Sequence, residues 1–101
     1  LSLLRDANAK GIFIGAICAA PSILGHMGLL DGKRATCFPG YEDTLAGAIV
    51  QDTGVVADGT IITARGAGCA AAFGFALASL LVGEEKTAEL CHTMQYKDGL
   101  F

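Results

Sequence analysis

Cys18 is the side chain in this sequence whose surroundings read as a reactive centre. It follows the apolar run Ile12-Phe13-Ile14-Gly15-Ala16-Ile17 and precedes Ala19-Ala20-Pro21, where a helical pattern begins. A buried strand that ends, a nucleophilic side chain and a helix that starts at once give the layout of a nucleophile elbow. Ala16 and Ala20, two positions either side, are small enough for a tight turn. A thiol before a helix N-terminus faces unpaired backbone N–H groups and the positive end of the helix dipole, which favour the thiolate. The N–H of Ala19, the nearest of these, is the candidate oxyanion donor. The competing reading is a cysteine that only packs, the usual fate of a free thiol.

The other chemistry-bearing residues form no cluster. Cys37, Cys69 and Cys91 are widely spaced, make no C-x-x-C pair and lie in no ligand pattern with His26 or His92, so no metal is expected. No cofactor is expected either. With 52% hydrophobic residues the chain has ample core material without a disulfide framework, which points to a reducing, cytoplasmic setting. Cys69 follows Gly66-Ala67-Gly68 at a helix start and is a weaker candidate for a lowered pKa. His26 lies two helical turns beyond Cys18 and cannot fold back to the thiol; it and His92 read as surface or packing residues. A net charge of −3 with Lys and Arg scattered singly excludes an obligate nucleic-acid partner. The most apolar stretch, Gly66 to Gly83, falls short of the roughly 20 residues a membrane span needs.

The elements that would position Cys18 can be read from periodicity. Residues 1–9 look like the last turns of an amphipathic helix, with Leu1, Leu4 and Ala7 on one face. The unbroken run Ile12–Ile17 predicts a central parallel strand covered on both faces. Ala20, Ile23, Leu24, Met27 and Leu30 share one helical face, with Pro21 tolerated in the first turn. Arg34–Phe38 reads as a short strand stopped by Pro39-Gly40, and 41–47 as loop or short helix. Residues 48–50 and 54–57 are short β-prone runs, and Asp58-Gly59 signals a hairpin returning through 60–64. Cys69 to Val82 reads as a helix buried on most sides, capped by Gly83. The stripe Ala72, Phe73, Ala76, Leu77 and Leu80 is core or a dimer face. Glu84 to Met94 gives a final helix with acidic residues in its first turn. Alternating strands and helices imply a mostly parallel sheet in layers.

Three segments in order resemble the DJ-1/ThiJ/PfpI superfamily, DJ-1-like branch. They are Ala16-Ile17-Cys18-Ala19-Ala20-Pro21, Gly28 to Thr36 (GLLDGKRAT) and Asp58 to Gly66 (DGTIITARG). The resemblance covers nearly the whole chain and implies the C-terminal half of a flavodoxin-like α/β sandwich, residues 1–101 being part of one domain that includes a small β-hairpin. It implies that Cys18 is the easily oxidised nucleophile and that Ala20, Pro21, Arg65 and Gly66 frame the pocket. It implies a cysteine-dependent glyoxalase or deglycase acting on α-oxoaldehydes or their protein adducts. The alternatives are an oxidative-stress sensor or chaperone working through Cys18 oxidation, and a small cysteine amidase or peptidase. It further implies a homodimer and a partner glutamate from the N-terminal half of the domain. The protease-like branch has a histidine directly after the cysteine, where this chain has Ala19. Some members carry a histidine before the proline matched by Pro39, where this chain has Phe38.

Overall fold

The computed structural model describes residues 1–96 of the 101. The order is α1 (Ser2–Ala9), β1 (Ile14–Ile17), α2 (Pro21–His26), β2 (Arg34–Ala35), β3 (Ile49–Val50), β4 (Val55–Asp58), β5 (Ile61–Ala64), α3 (Ala70–Val82) and α4 (Glu84–Thr93). Single 3-10 turns cover Glu42–Thr44 and Ala67–Cys69. The fold is α/β, as expected from the sequence.

One sheet has the order β1-β5-β4, with β1 parallel to β5 in the register Ile14↔Ile61 through Ile17↔Ala64. β4 and β5 form the expected antiparallel hairpin, and Gly59 (φ 62°) takes the left-handed position its turn requires. β2 and β3 make a small parallel pair of their own. β5 is the central strand, and all four of its residues are buried. The parallel register puts Ile14, Ala16 and Ile61 on one face, where they join Leu24, Leu30, Ala35, Cys37 and Leu45 in the core. Leu4 and Ala7 of α1 pack against this cluster, as the N-terminal periodicity predicts, whereas Leu1 of the same stripe precedes the helix and is exposed.

Gly15 faces the other way, towards α3. A Cβ on Gly15 would stand 2.9 Å from the Phe73 ring, so glycine lets the helix approach the sheet. The two strongest apolar patterns nevertheless end up less covered than the sequence implies. β1 is an edge strand of this sheet, not a central one; Ile14 and Ala16 are buried, while Ile12 and Phe13 just before it are exposed. None of the 13 residues of α3 is fully buried, and Leu81 is 69% exposed. Hydrophobic pattern reports what a segment prefers to touch, and the described residues supply a cover for only part of each.

Two polar links tie the small sheet to the hairpin. The buried Thr36 N–H donates to Thr63 Oγ1 at 2.9 Å, and Thr36 Oγ1 donates to the Thr53 carbonyl at 3.1 Å. Thr63→Val keeps the side-chain shape and removes that acceptor. The expected loss is about 1–3 kcal/mol, the desolvation cost of a buried unpaired N–H, read as a lower urea midpoint. The second link is Asp58, whose carboxylate accepts from the Arg34 N–H at 2.9 Å and sits 3.8 Å from its guanidinium. The backbone hydrogen bond from Arg34, with the charges of Arg34 and Lys33, holds the Asp58 carboxyl below its ordinary 3.8. A carboxyl depressed in the folded state stabilises above its unfolded value and loses that contribution as pH falls through the folded one. Stability of the natural protein should therefore fall more steeply below pH 3.8 than that of Asp58→Ala, followed by thermal midpoint against pH.

Candidate active site

The site begins where β1 runs out. Cys18 N–H donates to the Ala64 carbonyl at 3.0 Å, extending the parallel ladder one step beyond Ile17. On its other side, the Cys18 carbonyl accepts from Phe38 N–H at 2.8 Å. Held between the end of β5 and the Phe38 segment, Cys18 adopts φ 67°. A side chain other than glycine in this region costs roughly 1–3 kcal/mol and persists only where neighbours over-determine it. Such strain at a half-buried thiol at the end of a strand is the geometry of a nucleophile elbow.

The chain then turns directly into a helix. Ala20 N–H donates to the Ile17 carbonyl at 3.2 Å, and Ser22 Oγ donates to the Ala19 carbonyl at 2.7 Å. Pro21 occupies the first helical position, as expected, with Ala20 as N-cap. The helix has only six residues, so its dipole adds little to whatever the nearby N–H groups supply. Among the described residues the Ala19 N–H donates to no carbonyl, which leaves it available at the turn.

The expected pocket residues divide. Arg65 and Gly66 line an open cavity of about 420 Å³ with Phe38, Pro39, Ala67, Gly68 and Cys69. Pro21 is fully buried and supports the turn from below, while Ala20 is exposed; neither is part of that wall. Cys18 is not among the lining residues; it is tied to the cavity through the backbone, since the segments that clamp it on both sides continue into the walls. Arg65 and Pro39 also line a second hollow of about 250 Å³ with Cys37, Glu42 and Asp52. Arg65 Nη1 pairs with Asp52 Oδ1 at 2.9 Å across a fully exposed carboxylate. Sequence reasoning missed Asp52, since nothing in a 13-residue separation announces the pairing.

The remaining thiols and imidazoles stay apart. Burial, then the nearby Glu42 charge, push the Cys37 thiol up against a smaller opposing effect of the Tyr41 backbone, so it packs as a neutral core group. Cys69 is the N-cap of α3, and its sulfur lies against Gly54. His26 ends α2 and His92 lies on α4, both exposed. Among the described residues no group of three or more His, Cys, Asp or Glu side chains could hold a metal ion. Nor is any of their helices long and apolar enough to cross a membrane.

A half-wound α/β sheet with a strained thiol between strand and helix defines the class: a cysteine-elbow protein of the flavodoxin-like type. The chain belongs to the DJ-1/PfpI family, whose model matches residues 1–80. It is 41% identical over 90 residues to protein dj-1beta of Drosophila melanogaster, covering 87% of this chain and 48% of the fly protein. It is 37% identical over 90 residues to the glutathione-independent glyoxalase DJR-1.2 of Caenorhabditis elegans, again 87% of this chain and 48% of the relative. The crystal structure of the Drosophila DJ-1beta protein superposes with a TM-score of 0.84 at 36% identity, over 95% of this chain and 53% of that one. The chain thus spans about half the length of the relatives it matches.

Proposed function

We propose that the protein containing this chain is a cysteine-dependent glyoxalase or deglycase acting on α-oxoaldehydes or their adducts, with Cys18 as nucleophile. The observation that carries the reading is the strained φ of 67° at Cys18, clamped between Ala64 and Phe38. The Cys18 thiolate adds to the aldehyde carbon of methylglyoxal, and the new alkoxide takes a proton to give a hemithioacetal. A base moves the proton from that carbon to the neighbouring carbonyl carbon through an enediol, leaving a thioester. Water cleaves the thioester to lactate and returns the thiol. The sum is aldehyde plus water to 2-hydroxy acid, redox neutral, so neither cofactor nor metal is required. The Ala19 N–H is the donor to the alkoxide, and Arg65 and Gly66 frame the approach.

The base has to be a carboxylate or imidazole within hydrogen-bond reach. The wall beside the elbow carries Arg65 but no acidic residue among its described lining. A glutamate from the half of the domain that this chain does not match completes the site. The same segment covers the open side of β1 and the apolar surface of α3, and a second copy of the assembled domain makes the working dimer in the cytoplasm. The exposed Ile12, Phe13 and Leu81 support that reading, as does the half-length match to the relatives. The test is lactate formation from methylglyoxal by the full-length protein, followed by NMR. Absence of lactate, with peroxide converting Cys18 selectively to sulfinate, would instead establish the sensor role.

A further inference from the structure

The cavity beside the elbow has a chemical character that the reaction itself does not require. Its walls are Phe38, Pro39, the small Gly66-Ala67-Gly68 loop and Cys69, with Arg65 as the one charged side chain. Two hydrogen bonds fix its place: the chain leaves the clamp on one side of Cys18 as Phe38-Pro39 and on the other as Arg65-Gly66. The Phe38 ring is held in position. Its edge atom lies 3.6 Å from where a Cβ on Gly66 would stand, and it meets Tyr41 edge to face at 6.4 Å and 74°. It is still 45% exposed. A large aromatic surface left open on a residue bonded through its backbone to the nucleophile's own carbonyl gains most when an apolar group covers it.

We propose that Phe38 is a specificity residue that selects α-oxoaldehydes bearing an aromatic or alkyl substituent. This rests on the reading of Cys18 as the carbonyl-addition nucleophile. Every α-oxoaldehyde offers the thiol the same aldehyde carbon, so the chemistry at Cys18 does not discriminate. The substituent on the ketone carbon points away from sulfur and into the slot walled by Phe38 and Pro39. Glyoxal has nothing to place there, methylglyoxal one methyl group, and phenylglyoxal a ring that can stack. With phenylglyoxal the reaction consumes one water and releases mandelate, with no oxidant or reductant. The cavity of about 420 Å³ holds a phenyl group comfortably.

The experiment compares kcat/KM for phenylglyoxal and glyoxal in the full-length protein and in Phe38→Ala and Phe38→Leu. The expected result is a phenylglyoxal-to-glyoxal ratio that falls about tenfold in Phe38→Ala, the size of one aromatic contact, and by less in Phe38→Leu, which keeps the apolar volume. Because the readout is a ratio within one sample, partial unfolding does not alter it. A ratio unchanged in both variants overturns the proposal while leaving Cys18 as nucleophile. If no α-oxoaldehyde turns over, the catalytic reading fails separately. Phe38 is then judged by alkylation of Cys18, with phenacyl bromide against bromoacetamide, followed by peptide mass. There the thiolate displaces bromide in both cases, and the same tenfold drop in relative rate is expected. Equal relative rates in the natural protein and Phe38→Ala overturn the proposal on this readout too.

Discussion

Replacing Cys18 with alanine should abolish methylglyoxal turnover, by on the order of 10³-fold or more, while leaving the fold intact. Loss of this size is what removal of a covalent nucleophile produces; losing a packing contact near the site would cost far less. The stability of the variants provides a second, independent check on the elbow. Alanine at φ 67° bears the same left-handed strain as cysteine, so its thermal midpoint should stay close to that of the natural protein. Glycine adopts that φ freely. Relief of about 1–2 kcal/mol of strain outweighs the extra entropy glycine gains when unfolded, about 0.5–1 kcal/mol. Cys18→Gly should therefore be inactive and more stable than Cys18→Ala by up to about 1 kcal/mol. Turnover surviving in the alanine variant would remove Cys18 from the chemistry. A glycine variant less stable than the alanine one would show that the turn holds no strain.

The elbow was legible in the sequence because every part of it is local. The change from an apolar run to helical period, small residues either side of Cys18, and Pro21 at the first helical position all lie within ten residues. The hairpin at Asp58-Gly59 was legible for the same reason, since the turn needs a left-handed residue and glycine stands there. What the sequence could not announce depends on distant chain segments meeting. β1 reads as a central strand because its residues are apolar; its edge position is decided by which strands are present to pair with it. α3 reads as buried for the same reason, and among the described residues none of its residues is fully buried. Likewise, Thr36 and Thr63 lie 27 residues apart, and no spacing rule marks them as partners. Phe38 shows the division within a single residue. The resemblance marks its position as unusual, but only the fold shows its ring half-exposed in a cavity wall, on a residue whose N–H is bonded to the Cys18 carbonyl.

The placement of the elbow helix depends on a glycine that ordinary helix preferences would discard. Gly25 is the penultimate residue of the six-residue α2, where glycine is normally worse than alanine by up to about 1 kcal/mol. Here a Cβ would run into the Thr44 carbonyl oxygen and stand 2.9 Å from Leu45 Cα. Both obstacles are backbone, so no rotamer change relieves them. Either α2 lifts away from the 42–45 turn, or that turn moves and takes the buried Leu45 with it. Overpacking of this kind costs about 1–3 kcal/mol beyond the helix gain, more where backbone must shift. Gly25→Ala should therefore lower stability by at least about 1 kcal/mol, read from urea unfolding. Gly74 in α3 is the control: nothing lies within 4 Å of its Cβ position, so Gly74→Ala should hold or gain up to about 1 kcal/mol. Since Cys18 sits only three residues before α2, a shifted helix should also change the rate of Cys18 alkylation. A Gly25→Ala protein as stable as the natural one, with unaltered alkylation, would mean that the tight contact between α2 and the 42–45 turn does not set the position of the elbow.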